Sequence, residues 1–123
     1  MPPPLREVYL YTLKYQRGGD VDLPKTISIA GHRVKLEVTP LSGEDPPYGL
    51  YFHDKKLIQI NANMRDKTLL NTIRHEMMEA SLLLSGVGFL ETYEQEAVVR
   101  CMEEIFFPAW GQFLKKIKFD KDA

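Results

Sequence analysis

Apolar and polar residues alternate over residues 26–38, TISIAGHRVKLEV, on both sides of an Ala-Gly pair. A period of two predicts β strands, because successive side chains of a strand point to opposite faces of a sheet. The Ala-Gly break between the two runs predicts a hairpin turn. A second pair of short apolar runs, residues 49–52 and 57–60, flanks the polar HDKK at residues 53–56 and predicts a second hairpin.

Helical spacing of apolar residues begins near residue 65 or 66 and ends near residue 85, before Gly86. The apolar stripe of this first helix comprises Leu69, Leu70, Ile73, Met77, Ala80 and Leu84. A second helix is predicted over residues 92–107, with a capping-box pattern at Thr92 and Gln95. Its stripe comprises Ala97, Val98, Cys101, Met102 and Ile105. We expect Pro108 to break or kink this helix, and an apolar C-terminal helix to follow it.

These patterns predict an α+β fold, in which a small antiparallel or mixed sheet made of two hairpins packs against two long helices. The length of 123 residues predicts one compact domain spanning residues 1–123. Residues 1–24 form an N-terminal extension of uncertain structure in this interpretation. Residues 7–15 within it fit a strand or a short helix equally well.

Charge and composition narrow the classes of function. Lysine and arginine number 16 against 17 acidic residues, and no basic block stands out, which argues against binding to nucleic acid or to an anionic membrane surface. The start of the chain has no signal-peptide pattern, and no apolar run is long enough to span a bilayer. The single cysteine, Cys101, excludes an internal disulfide, and its apolar neighbours predict an inert core thiol. We therefore expect a cytoplasmic protein.

Candidate chemistry lies in the first helix, at residues 68–79, TLLNTIRHEMME. In the zinc-peptidase pattern H-E-x-x-H, two histidines one turn apart bind zinc, and the glutamate between them acts as general base. Here His75 and Glu76 keep their places, and Glu79 replaces the second histidine. Residues four apart differ by about 40° around a helix, so His75 and Glu79 are expected on one side. Carboxylate oxygen is an accepted zinc ligand, although a second anionic ligand weakens activation of water.

The second helix offers one further acid. Glu94 is three and four residues before Ala97 and Val98, so helical spacing places it on the inward stripe. An acid aimed at the core requires a partner, and a metal ion held by the first helix would be one. We also expect the second helix to cover the face of the first helix that carries His75 and Glu79.

Together, the hairpins, TLL with His75-Glu76, a glycine turn and the EQEA of residues 94–97 resemble the small gluzincin-type metallopeptidases, particularly the ImmA/IrrE-like and phage-encoded minimal forms. The resemblance covers residues 25 to 108. It implies a zincin-like architecture, a zinc cofactor, His75 as first ligand, Glu94 as third ligand and Glu76 as general base. Glu79 departs from the pattern, which has histidine there. Val98 departs too, since related enzymes often carry an acidic or amide residue at that position.

Three classes of function remain open. The first is a small zinc-dependent peptidase that acts on a peptide held along an edge strand. The second is a catalytically degenerate relative, encoded by a phage or mobile element, that binds a protein partner or acts as a regulatory module. The third is a metal-free domain in which His75, Glu79 and Glu94 form a hydrogen-bonded polar cluster. Each residue also has a plain structural explanation: His75 as an ordinary helix histidine, Glu79 as a surface acid, and Glu94 as an acid in the first turn of a helix. The sequence does not define the oligomeric state.

Overall fold

The protein is an α+β structure with two β sheets and two main helical segments, seen in a computed structural model that describes residues 11, 13–89 and 94–119. Its strands, in chain order, are β1 (Tyr15–Gly18), β2 (Val21–Pro24), β3 (Thr26–Ile29), β4 (His32–Thr39), β5 (Gly49–Phe52), β6 (Leu57–Asn61) and β7 (Lys118–Phe119). Its helices are α1 (Asp66–Leu84), α2 (Gln95–Cys101) and α3 (Phe107–Lys116), with a 3-10 turn at Val87–Phe89 and a π-helical turn at Met102–Phe106.

Both predicted hairpins are confirmed. β3 and β4 are antiparallel with Ile29 opposite His32, so Ala30 and Gly31 are the two loop residues. Both loop residues have positive φ, 52° and 78°, the backbone conformation of the tight turn whose twist matches that of its strands. β5 and β6 pair antiparallel as the second hairpin, from Gly49 opposite Ile60 to Phe52 opposite Leu57.

The two hairpins join through a parallel pairing of β4 with β6, which gives a mixed four-stranded sheet in the order β3-β4-β6-β5. Alternation along β4 buries Val34 and Leu36 and exposes the polar residues between them. β5 is an outer strand of this sheet, and it lies next to α1 in the described structure.

The segment left unassigned by the sequence contains a second sheet. β1 and β2 pair antiparallel, and the two-residue β7 adds to the other side of β2. The Gln16 side chain connects the two sheets, because its amide nitrogen donates to the carbonyl of Leu36 at 2.6 Å and its amide oxygen accepts from the backbone N–H of Val38 at 2.9 Å. These backbone groups of β4 lie beyond the last residue that pairs with β3. The Gln16 side chain therefore forms the hydrogen bonds that a longer β3 would otherwise form there.

Helix α1 has the bounds that the sequence predicted, within one residue at each end. Four residues of its predicted stripe, Leu69, Ile73, Met77 and Ala80, are fully buried. They join a core that also contains residues of both sheets and of α3, including Val21, Leu23, Ile29, Val34, Ile58, Ile60 and Phe113. Within the described residues, no helix has the length and apolar character needed to cross a membrane.

The C-terminal helical run differs from the prediction. The capping box at Thr92 lies outside the described residues, and α2 begins at Gln95 with Glu94 in an extended conformation before it. The helix does not end at Pro108. The π turn Met102–Phe106 comes before this residue, and α3 continues through it to Lys116. Proline lacks the N–H that an α helix would donate one turn back, and a π turn at this place accommodates the change in hydrogen bonding. Cys101 is buried, as predicted.

Candidate metal centre

The polar turn of α1 brings His75 and Glu79 together. Nε2 of His75 lies 3.1 Å from Oε1 of Glu79, so the two side chains share one side of the helix, as their spacing of four residues predicts. Their side chains are 68% and 51% exposed. The expectation that α2 covers this face is therefore wrong. The physical reason is that the helical run from Gln95 packs on another side of α1, where Sγ of Cys101 donates to the carbonyl of Ser81 at 3.4 Å. Ser81 lies about 240° from His75 around the helix, so the run leaves the side of His75 and Glu79 open.

Glu76 has the opposite environment. Among the described residues it is the only buried charged residue, at 5% exposure, and its Oε2 atom has no hydrogen-bond partner there. Burial raises the pKa of Glu76 to about 7, because a charged carboxylate loses its hydration there. The nearby carboxyl of Glu79 contributes to the raised pKa by like-charge repulsion and by a side-chain hydrogen bond. A buried polar atom without a partner requires an explanation, and a bound ion or a substrate would be one.

Together these residues form a group with the chemistry of a metal site. One ligand atom from each of His75, Glu76 and Glu79 can be chosen so that all lie within 4.8 Å of one another. One imidazole nitrogen and carboxylate oxygens suit zinc and also other divalent cations. The group could hold a metal ion, and the ligand types alone do not select zinc.

A groove of about 420 Å³ opens beside this group, between α1 and the start of β5. It is lined by Tyr48, Gly49, Thr68, Asn71, Thr72, His75 and Glu76. Gly49 explains how the strand approaches the helix so closely. A Cβ at this position would lie 3.0 Å from Cγ2 of Thr72 and 3.1 Å from Cγ of Glu76. The sequence pointed to neither Gly49 nor Thr72, because the contact joins segments more than twenty residues apart.

Glu94 does not lie where its spacing predicted. It is exposed and precedes the first residue of α2, so the helical geometry that would direct it inward with Ala97 and Val98 does not apply to it. It lines a different groove of about 370 Å³, together with Ser85, Arg100 and Cys101. It is not a member of the group formed by His75, Glu76 and Glu79. The inward orientation of Glu94 is a wrong prediction, and its role as third metal ligand remains a prediction.

Comparison with known proteins gives no assignment. No protein-family model matches the chain, and neither the curated proteins nor the solved structures include a significant match.

Proposed function

We propose that the protein is a zinc-dependent, peptidase-like hydrolase with its site on α1. The observation that carries this proposal is the buried Oε2 atom of Glu76, which has no hydrogen-bond partner among the described residues and lies beside the His75 and Glu79 pair at the edge of an open groove. Structural acids in a helix are usually exposed or fully paired, whereas Glu76 is buried and its Oε2 atom has no hydrogen-bond partner among the described residues.

Each residue has a distinct role in the proposed reaction. His75 and Glu79 would hold the zinc ion. The resemblance to gluzincins predicts Glu94 as the third ligand, whereas the structure places Glu94 in a different groove. A bound zinc ion supplies a lowered pKa for water and polarises a carbonyl group. Glu76 accepts the proton of the attacking water and later delivers it to the leaving nitrogen of the peptide. Its raised pKa suits a group that both accepts and donates a proton near neutral pH.

The peptide binds along the free edge of β5 in this proposal. The backbone N–H of Asn61 donates to the carbonyl of Tyr48. In an antiparallel pair, hydrogen-bonded and non-hydrogen-bonded residue pairs alternate from there along the strands. The backbone groups of Gly49 and Tyr51 consequently point away from β6, toward the open edge. An extended peptide can pair with these groups and place a carbonyl next to Glu76, since Gly49 already packs against that side chain.

A second candidate is a catalytically degenerate protein that uses the same edge to bind a partner. The exposure of His75 and Glu79 favours it, because catalytic zinc sites have three protein ligands and exclude much of the solvent. Tyr48 and Leu50, at 63% and 37% exposure, supply apolar contacts beside the open edge. Both candidates place the partner or substrate on β5, and they differ in whether a metal ion is bound and used.

Metal content separates the two candidates. Tag-free protein purified without chelator is analysed by inductively coupled plasma mass spectrometry, with His75→Ala as the test variant and Glu96→Ala, an exposed acid, as the control. We expect near-stoichiometric zinc in the wild type and the control and its loss in the test variant. Glu94→Ala decides whether that residue is a ligand, and Glu79→His is expected to raise zinc affinity. A wild type that binds no zinc even after incubation with the ion contradicts the hydrolase and supports the partner-binding candidate.

A further inference from the structure

An apolar stripe runs along the solvent side of the C-terminal helical run. Ala109 and Phe113 are the buried residues of α3 and define its inner face. At 100° per residue, Phe107, Gly111 and Leu114 fall on the opposite face. Phe107 is 59% exposed and Leu114 is 42% exposed, so two large apolar side chains one above the other contact water. We call Phe107, Gly111 and Leu114, with Val99 described next, the α3 stripe.

The π turn keeps the stripe continuous with α2. Val99 precedes Phe107 by two helical turns plus the one extra residue that a π turn inserts, so the two residues lie on the same side of the run. Val99 is 45% exposed. The stripe is therefore about four turns long, and it runs along one continuous helical segment.

Gly111 lies at the centre of this face and has no explanation within the chain. A Cβ at this position would meet no atom within 4 Å, and its φ is not positive. Glycine inside a helix is less stable than alanine, so the monomer would be more stable with a helix-forming residue here. Glycine on an exposed helix face is useful where another helix or a large side chain must approach the backbone closely.

The part of the stripe from Phe107 to Leu114 has an acidic residue at one end and a basic residue at the other. Glu103 lies before Phe107, between it and Val99, and Lys115 follows Leu114; both residues are exposed. Within the described part of the chain, neither residue forms an ion pair. Two copies of the run packed antiparallel would bring the acidic end of each against the basic end of the other, whereas parallel packing would bring like charges together.

We propose that the α3 stripe is the contact surface for a second copy of this chain, which packs antiparallel about a two-fold axis. In the register centred between Phe107 and Gly111, the Phe107 ring of each copy lies on Gly111 of the other copy. The same register places Glu103 of each copy beside Lys115 of the other. A two-fold axis makes both contacts occur twice, as it does in most homodimers.

The dimer is weak. A stripe of about four turns is about 22 Å long, and one side of a single helical run of this length is smaller than the roughly 800 Å² per partner of a standard stable interface. We expect dissociation constants on the order of 10–100 μM, where the dimer is reversible and depends on protein concentration.

Sedimentation velocity of the full chain over a range of concentrations at low salt tests the proposal. Phe107→Ser is expected to abolish dimers, and Gly111→Gln to block them while raising or keeping the melting temperature. Glu103→Lys and Lys115→Glu are each expected to weaken association about tenfold, because each creates two repulsive pairs per dimer. The double variant, Glu103→Lys with Lys115→Glu, restores the opposite pairing and the wild-type association. Lys116→Glu, with the same charge change on the inner side of the helix, is the matched control.

Three results would overturn the proposal. The first is a wild type that stays monomeric up to the highest concentration. The second is a dimer that Phe107→Ser and Gly111→Gln leave intact, since it would form through another surface. The third is a double charge variant no better than either single variant, which rules out the antiparallel register. Circular dichroism of each variant confirms that a loss of dimer is not a loss of fold.

Discussion

Two carboxylates in this protein, those of Asp22 and Glu76, have environments that shift their pKa values in opposite directions. Asp22 lies in β2 and is surrounded by donors and cations. Tyr11 donates its phenolic hydrogen to one oxygen of Asp22, and Arg17 contacts the other oxygen at 3.1 Å. The hydrogen bond from Tyr11 and the charge of Arg17 lower the pKa of Asp22, while burial and the same hydrogen bond raise the pKa of Tyr11 to about 12.

The Asp22 cluster extends to the C-terminal strand. The rings of Tyr11 and Tyr15 stack with centroids 4.7 Å apart, and Nζ of Lys118 lies 5.1 Å and 5.0 Å from their centroids. Cation–π contacts of this kind attach β7 to the rest of its sheet. Among the described residues, the groups that contact Asp22 are side chains of the chain itself, which favours a structural role for this acid.

Within the described part of the chain, Oε2 of Glu76 has no hydrogen-bond partner, and the neighbouring side chain is another acid, Glu79. Both oxygens of Asp22 are thus hydrogen-bonded, whereas one oxygen of Glu76 has no partner there and lies beside an open groove. An acid in a cleft whose pKa is strongly shifted by burial is a candidate for a functional site, whereas hydrogen bonds and ion pairs explain the shift of a structural acid. The difference between the two acids is what favours α1, and not the Asp22 cluster, as the site of chemistry.

The largest expected effect is on catalysis. Glu76→Gln keeps the size of the side chain and removes its basicity, so hydrolysis of a peptide substrate by zinc-loaded protein is expected to fall by about 10²–10⁴-fold. Asp22→Asn, the same chemical change at the partnered acid, is expected to leave the rate within about twofold of wild type. A comparable loss in both variants would mean that the two acids do not differ in function.

The stability of metal-free protein should depend on pH through Glu76. Since its folded pKa of about 7 exceeds the ordinary value of 4.5, the folded state binds more protons than the unfolded state between these values. The free energy of unfolding therefore falls as the pH rises from about 4.5 to 7, by up to about 3 kcal/mol, and is level above that. Urea unfolding in the presence of a chelator at pH 5 and pH 8 measures this fall in the free energy of unfolding, and Glu76→Gln should remove it. The same fall between pH 5 and pH 8 in the wild type and the variant would contradict the raised pKa of Glu76.

Asp22 should show the opposite dependence. Its lowered pKa stabilises the folded state at pH values above the unfolded pKa near 3.8, and this stability is lost as the pH falls through the folded pKa. Asp22→Asn is expected to cost about 1–2 kcal/mol at pH 7, a modest value because the side chain is 27% exposed. Thermal unfolding at pH 7 and pH 2.5 measures it. A cost that is undiminished at pH 2.5 would mean that the charge of Asp22 has no part in it.

The smallest expected effect separates the causes of the raised pKa of Glu76. Burial is the largest cause and Glu79 the second, so Glu79→Gln should lower that pKa only in part. The midpoint of the pH-dependent fall in stability then moves toward lower pH, with a change of about 0.5–1 kcal/mol at pH 8. Complete loss of the pH dependence in Glu79→Gln would make the neighbouring charge, and not burial, the dominant cause.

Local patterns in the sequence predicted both hairpins and α1 because their determinants lie within a few residues of one another. The Ala-Gly turn defines the β3–β4 register, and apolar spacing defines the buried face of α1. The proximity of His75 and Glu79 follows from helix geometry for the same reason.

Features that depend on distant segments were not predictable in this way. β1 and β2 have only four residues each, too few for a clear period, and the parallel pairing of β4 with β6 leaves no local pattern. The start of α2 was misplaced by three residues, which was enough to change the expected direction of Glu94. The burial of Glu76 depends on the close approach of Gly49, a contact between a strand and a helix far apart in the chain.

The parallel ladder between β4 and β6 also has a consequence for the order of folding. Each hairpin closes a short loop and can form within microseconds, but β4 can pair with β6 only after residues 40–56 have been brought into a compact arrangement. The entropy of closing this longer loop is lost before any of the five paired positions compensates for it. We therefore expect the joining of the two hairpins to limit the folding rate, with contacts at Leu36 and Ile58 formed late and with truncations there mainly accelerating unfolding.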